Sequence, residues 1–155
     1  MSLRQTATIK DVVTLKPNQT VKEAMSIFKE NDIRSLPVVG DDGQYLGLFG
    51  LRHILKKLLP KAVQMKDGLE NLDFIEDAVP GIAKRLQKLH STPVSEVMNP
   101  DALTISPDTA TWEALRLMAL HGSPVSIVNK ETGKFEGLIS RQTLLTELER
   151  HVAEL

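Results

Sequence analysis

The sequence predicts an α+β fold: two β-α-β-β-α units with a helical insert between them. Three observations carry that expectation: an internal repeat, glycines recurring at matched places within it, and a switch from helical to strand periodicity inside each copy. Shifting the chain by 90 positions lays Thr14-Leu15-Lys16-Pro17 over Thr104-Ile105-Ser106-Pro107, and Glu23-Ala24-Met25 over Glu113-Ala114-Leu115. After a deletion near Ile33, Leu36-Pro37-Val38-Val39 meets Val125-Ser126-Ile127-Val128. An insertion at Thr132 then brings Gly43, Gly47 and Leu48 onto Gly133, Gly137 and Leu138. Glycine at a turn or a close backbone approach is hard to replace, so these matches weigh more than matched leucines.

Each copy opens with an extended piece, Val13-Thr14-Leu15 or Leu103-Thr104-Ile105, that runs into a proline, whose missing donor ends regular pairing. Thr20-Val21-Lys22-Glu23 has the Thr-x-x-Glu spacing of a capping box and starts a helix. Val21, Ala24, Met25, Ile27 and Phe28 then fall on one helical face. Leu36 to Val39 reads as a short buried strand, Gly40-Asp41-Asp42-Gly43 as a turn, and Tyr45 to Phe49 as a second strand. A second helix runs from about Leu51 to Leu59 and ends at Pro60. The second copy repeats the order, with a helix over Thr111 to His121, strands over Val125 to Val128 and Phe135 to Ile139, and a helix from about Arg141. The predicted core comprises Val21, Met25, Phe28, Val38, Val39 and Leu48 in one unit. In the other it comprises Leu115, Met118, Ile127, Val128 and Leu138.

Composition narrows the functional classes. The chain has 155 residues, enough for one domain or two small packed ones, with 41% hydrophobic and 25% charged residues, as in ordinary globular proteins. A net charge of -1 offers no electrostatic footprint for nucleic acid or an anionic membrane. The absence of Cys excludes disulfides, thiolate metal sites and Cys nucleophiles, and fits a reducing cytoplasm. No apolar run reaches the length of a membrane span, and Met1 to Thr6 lacks a secretory signal, so a cytoplasmic location is expected. Enzyme signals are poor: His53, His90, His121 and His151 are scattered, and no hydrolase elbow or phosphate loop occurs. No catalytic residue and no metal ligand are assigned. Asp41-Asp42 reads as a turn rather than a cation site.

The order of elements, with the strings Arg34-Ser35-Leu36-Pro37-Val38-Val39, Gly43-Gln44-Tyr45-Leu46-Gly47-Leu48-Phe49 and Gly133-Lys134-Phe135-Glu136-Gly137-Leu138-Ile139-Ser140, resembles the cystathionine-β-synthase (CBS) domain. Two in tandem resemble a Bateman module. The repeats then cover 6–59 and 93–150, with a helical insert or linker at 60–92. Val94-Ser95-Glu96-Val97-Met98 resembles the lead-in segment before such a domain's first strand, and Ile9-Lys10-Asp11-Val12-Val13 is its counterpart. The resemblance implies pseudo-twofold symmetry, pairing into a homodimer, and a regulatory module without catalysis. It would bind AMP, ADP, ATP or S-adenosylmethionine and act in trans on a partner enzyme, transporter or regulator. No cofactor is required, and neither nucleic-acid binding nor membrane insertion is implied.

Binding in that family uses backbone near the second strand and a motif after the last strand, in which a Ser or Thr hydroxyl meets phosphate or ribose and an Asp three residues later holds the ribose diol. The resemblance therefore points to Val125, Ser126, Ile127, Ser140, Arg141 and Thr143 in the second repeat, and more weakly to Arg34, Leu36, Pro37, Gly50 and His53 in the first. Here Gly50 stands for the hydroxyl and His53 for the Asp in one repeat, and Thr143 stands for the Asp in the other. Neither copy keeps the ribose carboxylate, which motivates the alternative of a dimerisation module that binds no ligand. His53 also reads as a solvated histidine on a helix surface.

In the insert, Ile75, Ala78, Val79, Ile82, Leu86 and Leu89 form an apolar stripe, with a helix expected over Gly81 to Leu89 and a shorter turn over Asp73 to Val79. It reads as a crossover packed on its own module or as an element that touches a partner. Trp112, the single Trp, aligns with Lys22 and points to an interface if its face is uncovered, or to packing beneath the insert.

Overall fold

A computed structural model describes residues 12–59, 79–122 and 124–155. Among them the chain divides into two compact units, one from Leu15–Val38 and Leu46–Pro100, the other from Val39–Tyr45 and Asp101–Leu155.

In the first unit, helix α1 (Val21–Asn31) starts where the sequence places it. The Thr20 hydroxyl accepts from the Glu23 N–H at 3.2 Å. The expected reciprocal half of the box differs, because the Glu23 carboxylate accepts from the Thr20 hydroxyl rather than from its backbone. Strands β1 (Ser35–Val39) and β2 (Tyr45–Gly50) form a two-stranded sheet, and Leu15 bridges Val38 in parallel as the first extended piece. Helix α2 (Leu51–Leu58) follows β2 directly. Leu15, Val21, Ala24, Phe28, Leu36, Val38, Phe49 and Ile54 make the core.

Two further pieces complete that core. The insert contributes helix α3 (Val79–His90), longer than the expected Gly81 to Leu89, with Pro80 in its first turn. It packs on α1 and α2, its Leu86 and Leu89 lie against the core, and Arg85 donates to the Leu58 carbonyl at the end of α2 at 3.1 Å. The described part of the insert is thus a crossover packed on its own unit, while Ile75, Ala78 and the turn before Val79 lie outside the described residues. The lead-in of the second repeat, a 3-10 turn at Val94–Glu96 and the residues after it, buries Val94 and Val97 in the same core. Its counterpart at Ile9 to Asp11 lies outside the described residues.

In the second unit, β3 (Thr104–Ile105) runs parallel to β4 (Val125–Val128), and β4 is antiparallel to β5 (Phe135–Ile139). Helices α4 (Thr111–His121) and α5 (Arg141–Val152) accompany this sheet, and Ile105, Ala114, Met118, Val125, Ile127, Ile139 and Leu144 form its core. Among the described residues the strands form two small sheets, one of mixed direction, rather than a continuous parallel sheet. The matched glycines answer for the turns: Gly43 and Gly133 have φ of 85° and 77°, where a Cβ would strain the backbone.

The predicted core was partly misplaced. Met25, Leu48, Leu115 and Val128 are only half-buried. On α1 and α4 the buried stripe centres on Ala24 and Ala114, small residues that let a helix approach its neighbours closely, so the long side chains one position later lie at its edge. On β2 it is Phe49, not Leu48, that is fully buried, since adjacent strand residues face opposite ways.

Candidate functional site

Each repeat has a strand-to-helix junction, and both are built around the residue three places into the helix. At the β5–α5 junction Ser140 is the N-cap: its hydroxyl accepts from the Thr143 N–H at 3.1 Å, and the Thr143 hydroxyl accepts from the Ser140 N–H at 3.0 Å. Thr143 also donates to the Ser140 carbonyl at 3.1 Å. At the β2–α2 junction the Gly50 N–H donates to Nδ1 of His53 at 3.0 Å. His53 and Thr143 thus do the same local job, satisfying a backbone donor that a helix start leaves without a partner. Ser-x-x-Thr here makes both bonds of a capping box, and Gly-x-x-His makes one of them.

Gly50 has a packing reason. The Arg34 carbonyl accepts from the Leu51 N–H at 2.9 Å, and a Cβ at Gly50 would stand 2.8 Å from that oxygen and 2.8 Å from the Ser35 Cβ. The family's hydroxyl residue does not fit here unless the backbone moves. His53 is half-buried rather than solvated: its ring stacks on Phe49 at 6.3 Å, and Phe49 stacks on Phe28 at 5.9 Å. Burial, then the charges of Arg52 and Lys56, hold its pKa below the ordinary histidine value. With Nδ1 accepting from Gly50, the neutral ring carries its proton on Nε2.

The other expected residues fall into two groups. Val125, Ser126 and Ile127 are buried, with β3 opposite Ser126 and Ile127 and β5 opposite all three. Leu36 and Pro37 are buried core residues, and the Arg34 side chain is exposed. Arg141 begins α5 and donates through Nε to the Met118 carbonyl of α4 at 3.1 Å, which anchors it next to Ser140. Ser140, Arg141 and Thr143 are therefore brought together on one helical turn. Trp112 is 83% exposed on α4.

Two features were not anticipated. Tyr45 stacks on Phe135 at 6.4 Å, and its buried hydroxyl has no hydrogen-bond partner of good geometry. Burial raises its pKa, and nearby Ser126 opposes the shift. The second is a cavity of about 380 Å³ lined by Arg52, His53, Lys56 and Lys57 of α2 and by Val97 to Pro100. The signal was present in Arg52-His53-Ile54-Leu55-Lys56-Lys57, a basic helix with no acidic residue. Among the described residues no cluster of His, Asp or Glu suits a metal, and no helix is long and apolar enough to cross a membrane.

The sequence profile of the CBS domain matches residues 6–60 and 94–150. A CBS domain-containing protein of Bacillus subtilis, YhcV, is 31% identical over 77% of this chain and 66% of its own length. An uncharacterized protein of Methanocaldococcus jannaschii is 28% identical over 88% of the chain, which spans only 36% of that relative. A second one from the same organism is spanned over 25% of its length. Among solved structures, CBSX2 of Arabidopsis thaliana in complex with AMP has a TM-score of 0.66 at 20% identity, covering 94% of this chain and 93% of that one. The CbpB protein of Listeria monocytogenes in complex with c-di-AMP has a TM-score of 0.67 at 19% identity, covering 96% and 94%. With the profile matching both copies of the repeat, the chain belongs to the CBS domain family and carries the domain as a tandem pair.

Proposed function

We propose that this CBS pair is a non-catalytic regulatory module of the cytoplasm that senses an adenine nucleotide or a related adenosyl or anionic ligand and acts in trans on a partner protein. The observation that carries the reading is the β5–α5 junction, where two hydroxyls and a guanidinium share one turn. The AMP and c-di-AMP complexes of CBSX2 and CbpB support an adenine ligand. In this assignment the ligand lies along the second repeat, near Val125 to Ile127, with Ser140 on sugar or phosphate, Arg141 on phosphate, and Thr143 in place of the carboxylate. AMP, ADP, ATP and S-adenosylmethionine are the candidates. Missing carboxylates leave affinity dependent on phosphate charge, so binding weakens from ATP to AMP to adenosine, and weakens with salt. Calorimetry on the parent and Arg141→Ala tests this: adenosine bound as tightly as ATP, or AMP binding unaffected in the mutant, overturns the assignment.

The module acts as a homodimer in this reading. Trp112 and Leu120 on α4 and Leu145 on α5 are 83%, 65% and 59% exposed, apolar surface of the kind a partner copy covers. Sedimentation at about ten micromolar shows a dimer if so, and Trp112→Ala weakens it; a monomer, or an indifferent mutant, removes the claim. The second reading, a dimerisation module without a ligand, draws on one observation: the Ser140 and Thr143 hydroxyls already satisfy each other's backbones.

A further inference from the structure

Helices α2 and α3 differ from the other helices in charge. Together they carry Arg52, Lys56, Lys57, Lys84, Arg85 and Lys88, and neither contains an Asp or Glu. Every other helix holds carboxylates: Glu23 and Glu30 on α1, Glu113 on α4, Glu147 and Glu149 on α5. Glu113 and Glu147 each pair with an arginine one turn away, at 2.6 and 3.0 Å. Among the described residues no ion pair involves a cation of α2 or α3, and all six are exposed. The two helices pack on each other, and Arg85 ties them through the Leu58 carbonyl. A net charge of -1 for the whole chain therefore conceals a segregated basic surface.

The same helices leave aliphatic surface open. On α3, Val79, Ile82, Leu86 and Leu89 recur at three and four residues and make one stripe. Leu86 and Leu89 lie against the core, whereas Val79, 74% exposed, and Ile82 run past it toward the N-terminus. The stripe is thus about a turn longer than the core it covers. Leu51 and Leu55 stand four apart on α2, Leu59 follows its end, and all are exposed, Leu55 by 64%. This mixture selects an occupant. Neither helix contains Trp, Tyr or Phe, the residues that seat a protein at a lipid interface. A nucleic-acid backbone would use the cations and leave the leucines in water. A helix with carboxylates beside an apolar stripe complements both the charge and the aliphatic surface.

We propose that the α2–α3 face docks an acidic amphipathic helix of the protein this module regulates. The proposal rests on the reading of the chain as a module acting in trans, and it uses no residue of the β5–α5 junction. The probe is a fluorescein-labelled peptide of about 18 residues, long enough to form a helix, with Leu at helical spacing and Glu on its flanks. A control peptide has Lys in place of every Glu. Anisotropy on the full chain should show saturable binding of the acidic peptide that weakens with salt, and no binding of the control. Lys84→Gln/Lys88→Gln and Ile82→Ser should each weaken binding about fivefold or more. All three side chains are exposed, and melting curves separate lost docking from a lost fold. AMP calorimetry on the same variants keeps the two readings apart: AMP affinity unchanged while peptide binding falls locates the contact on this face, and AMP failing to bind the parent while the peptide binds leaves the proposal standing. Equal binding of the control, no binding of the acidic peptide at about 100 micromolar, or indifference of both variants overturns it. Other occupants would overturn it too. Phosphatidylglycerol vesicles that bind the parent but not Ile82→Ser would mark a lipid surface, and a dimer that dissociates in Ile82→Ser would mark a second copy. Peptide binding that appears only after Asp67, Glu70, Asp73, Glu76 and Asp77 are changed to Asn or Gln would mark an acidic segment of this chain.

Discussion

The two strand-to-helix junctions occupy the same place in their repeats and solve the same backbone problem with different side chains. Ser140 and Thr143 cap each other at one, and His53 reaches back to Gly50 at the other. What the repeat preserves is an acceptor three residues into the helix, and Thr and His both provide it. The consequences for a ligand diverge: a turn with two hydroxyls and an anchored guanidinium in one repeat, a stacked imidazole in a basic cavity in the other. Duplicated folds can therefore keep their local hydrogen bonding while their recognition chemistry separates.

The largest effect should come from the residues behind the junctions. Phe49 and Ile139 align in the repeat, and each is fully buried. Phe49→Ala should destabilise by about 3–5 kcal/mol and Ile139→Ala by about 2–5 kcal/mol in urea unfolding. Phe49→Ala should additionally release His53, because the ring loses its stacking partner. Retention of the His53 NMR shift in that variant would separate the core from the cavity.

Swapping the junction chemistry is expected to fail in one direction. Gly50→Ser restores the family hydroxyl but drives a Cβ against Arg34 and Ser35, costing about 1–3 kcal/mol in thermal or urea melts. Ser140→Gly loses only the side-chain cap, a few tenths of a kcal/mol. Equal costs would mean that the junctions are packed alike. Thr143→Asp should keep the acceptor and place a carboxylate where the family holds ribose, tightening AMP binding by about ten- to a hundredfold in calorimetry. Unchanged affinity would mean that AMP does not meet this turn.

The smallest effect is a pH dependence confined to the first repeat. His53 has a folded pKa held below its ordinary value by burial, Arg52 and Lys56, so the unfolded chain takes up the proton first as pH falls. Its contribution to stability is complete above about pH 6.5 and is lost as pH drops below that value. His53→Gln keeps an acceptor for Gly50 and should flatten the curve between about pH 7 and 5 by less than about 1 kcal/mol. Parallel curves for parent and variant would rule out His53 as a source.

Much of the architecture is legible in the sequence. Matched glycines, the Thr20 cap and alternating periodicities report on residues within one turn or one strand of each other, and such local constraints leave a direct mark on the sequence. They placed both helices of each repeat, the two strands that follow its first helix, and the insert helix to within a turn. The errors arose where two residues were equally apolar and only packing chose between them, as with Ala24 over Met25 and Phe49 over Leu48.

By itself, then, the sequence determined the duplicated α+β units, their turns and the placement of Ser140, Arg141 and Thr143 on a single turn. Tertiary structure alone decided that Val94 and Val97, read as the lead-in to the second repeat, fill the core of the first unit. It also decided that Asn99 pairs with Leu48 and so closes a wall opposite Arg52, His53, Lys56 and Lys57. The physical reason is separation along the chain. A helix or turn is specified by neighbours a few residues apart, whereas a cavity forms only where distant segments are held together by the free energy of the whole fold.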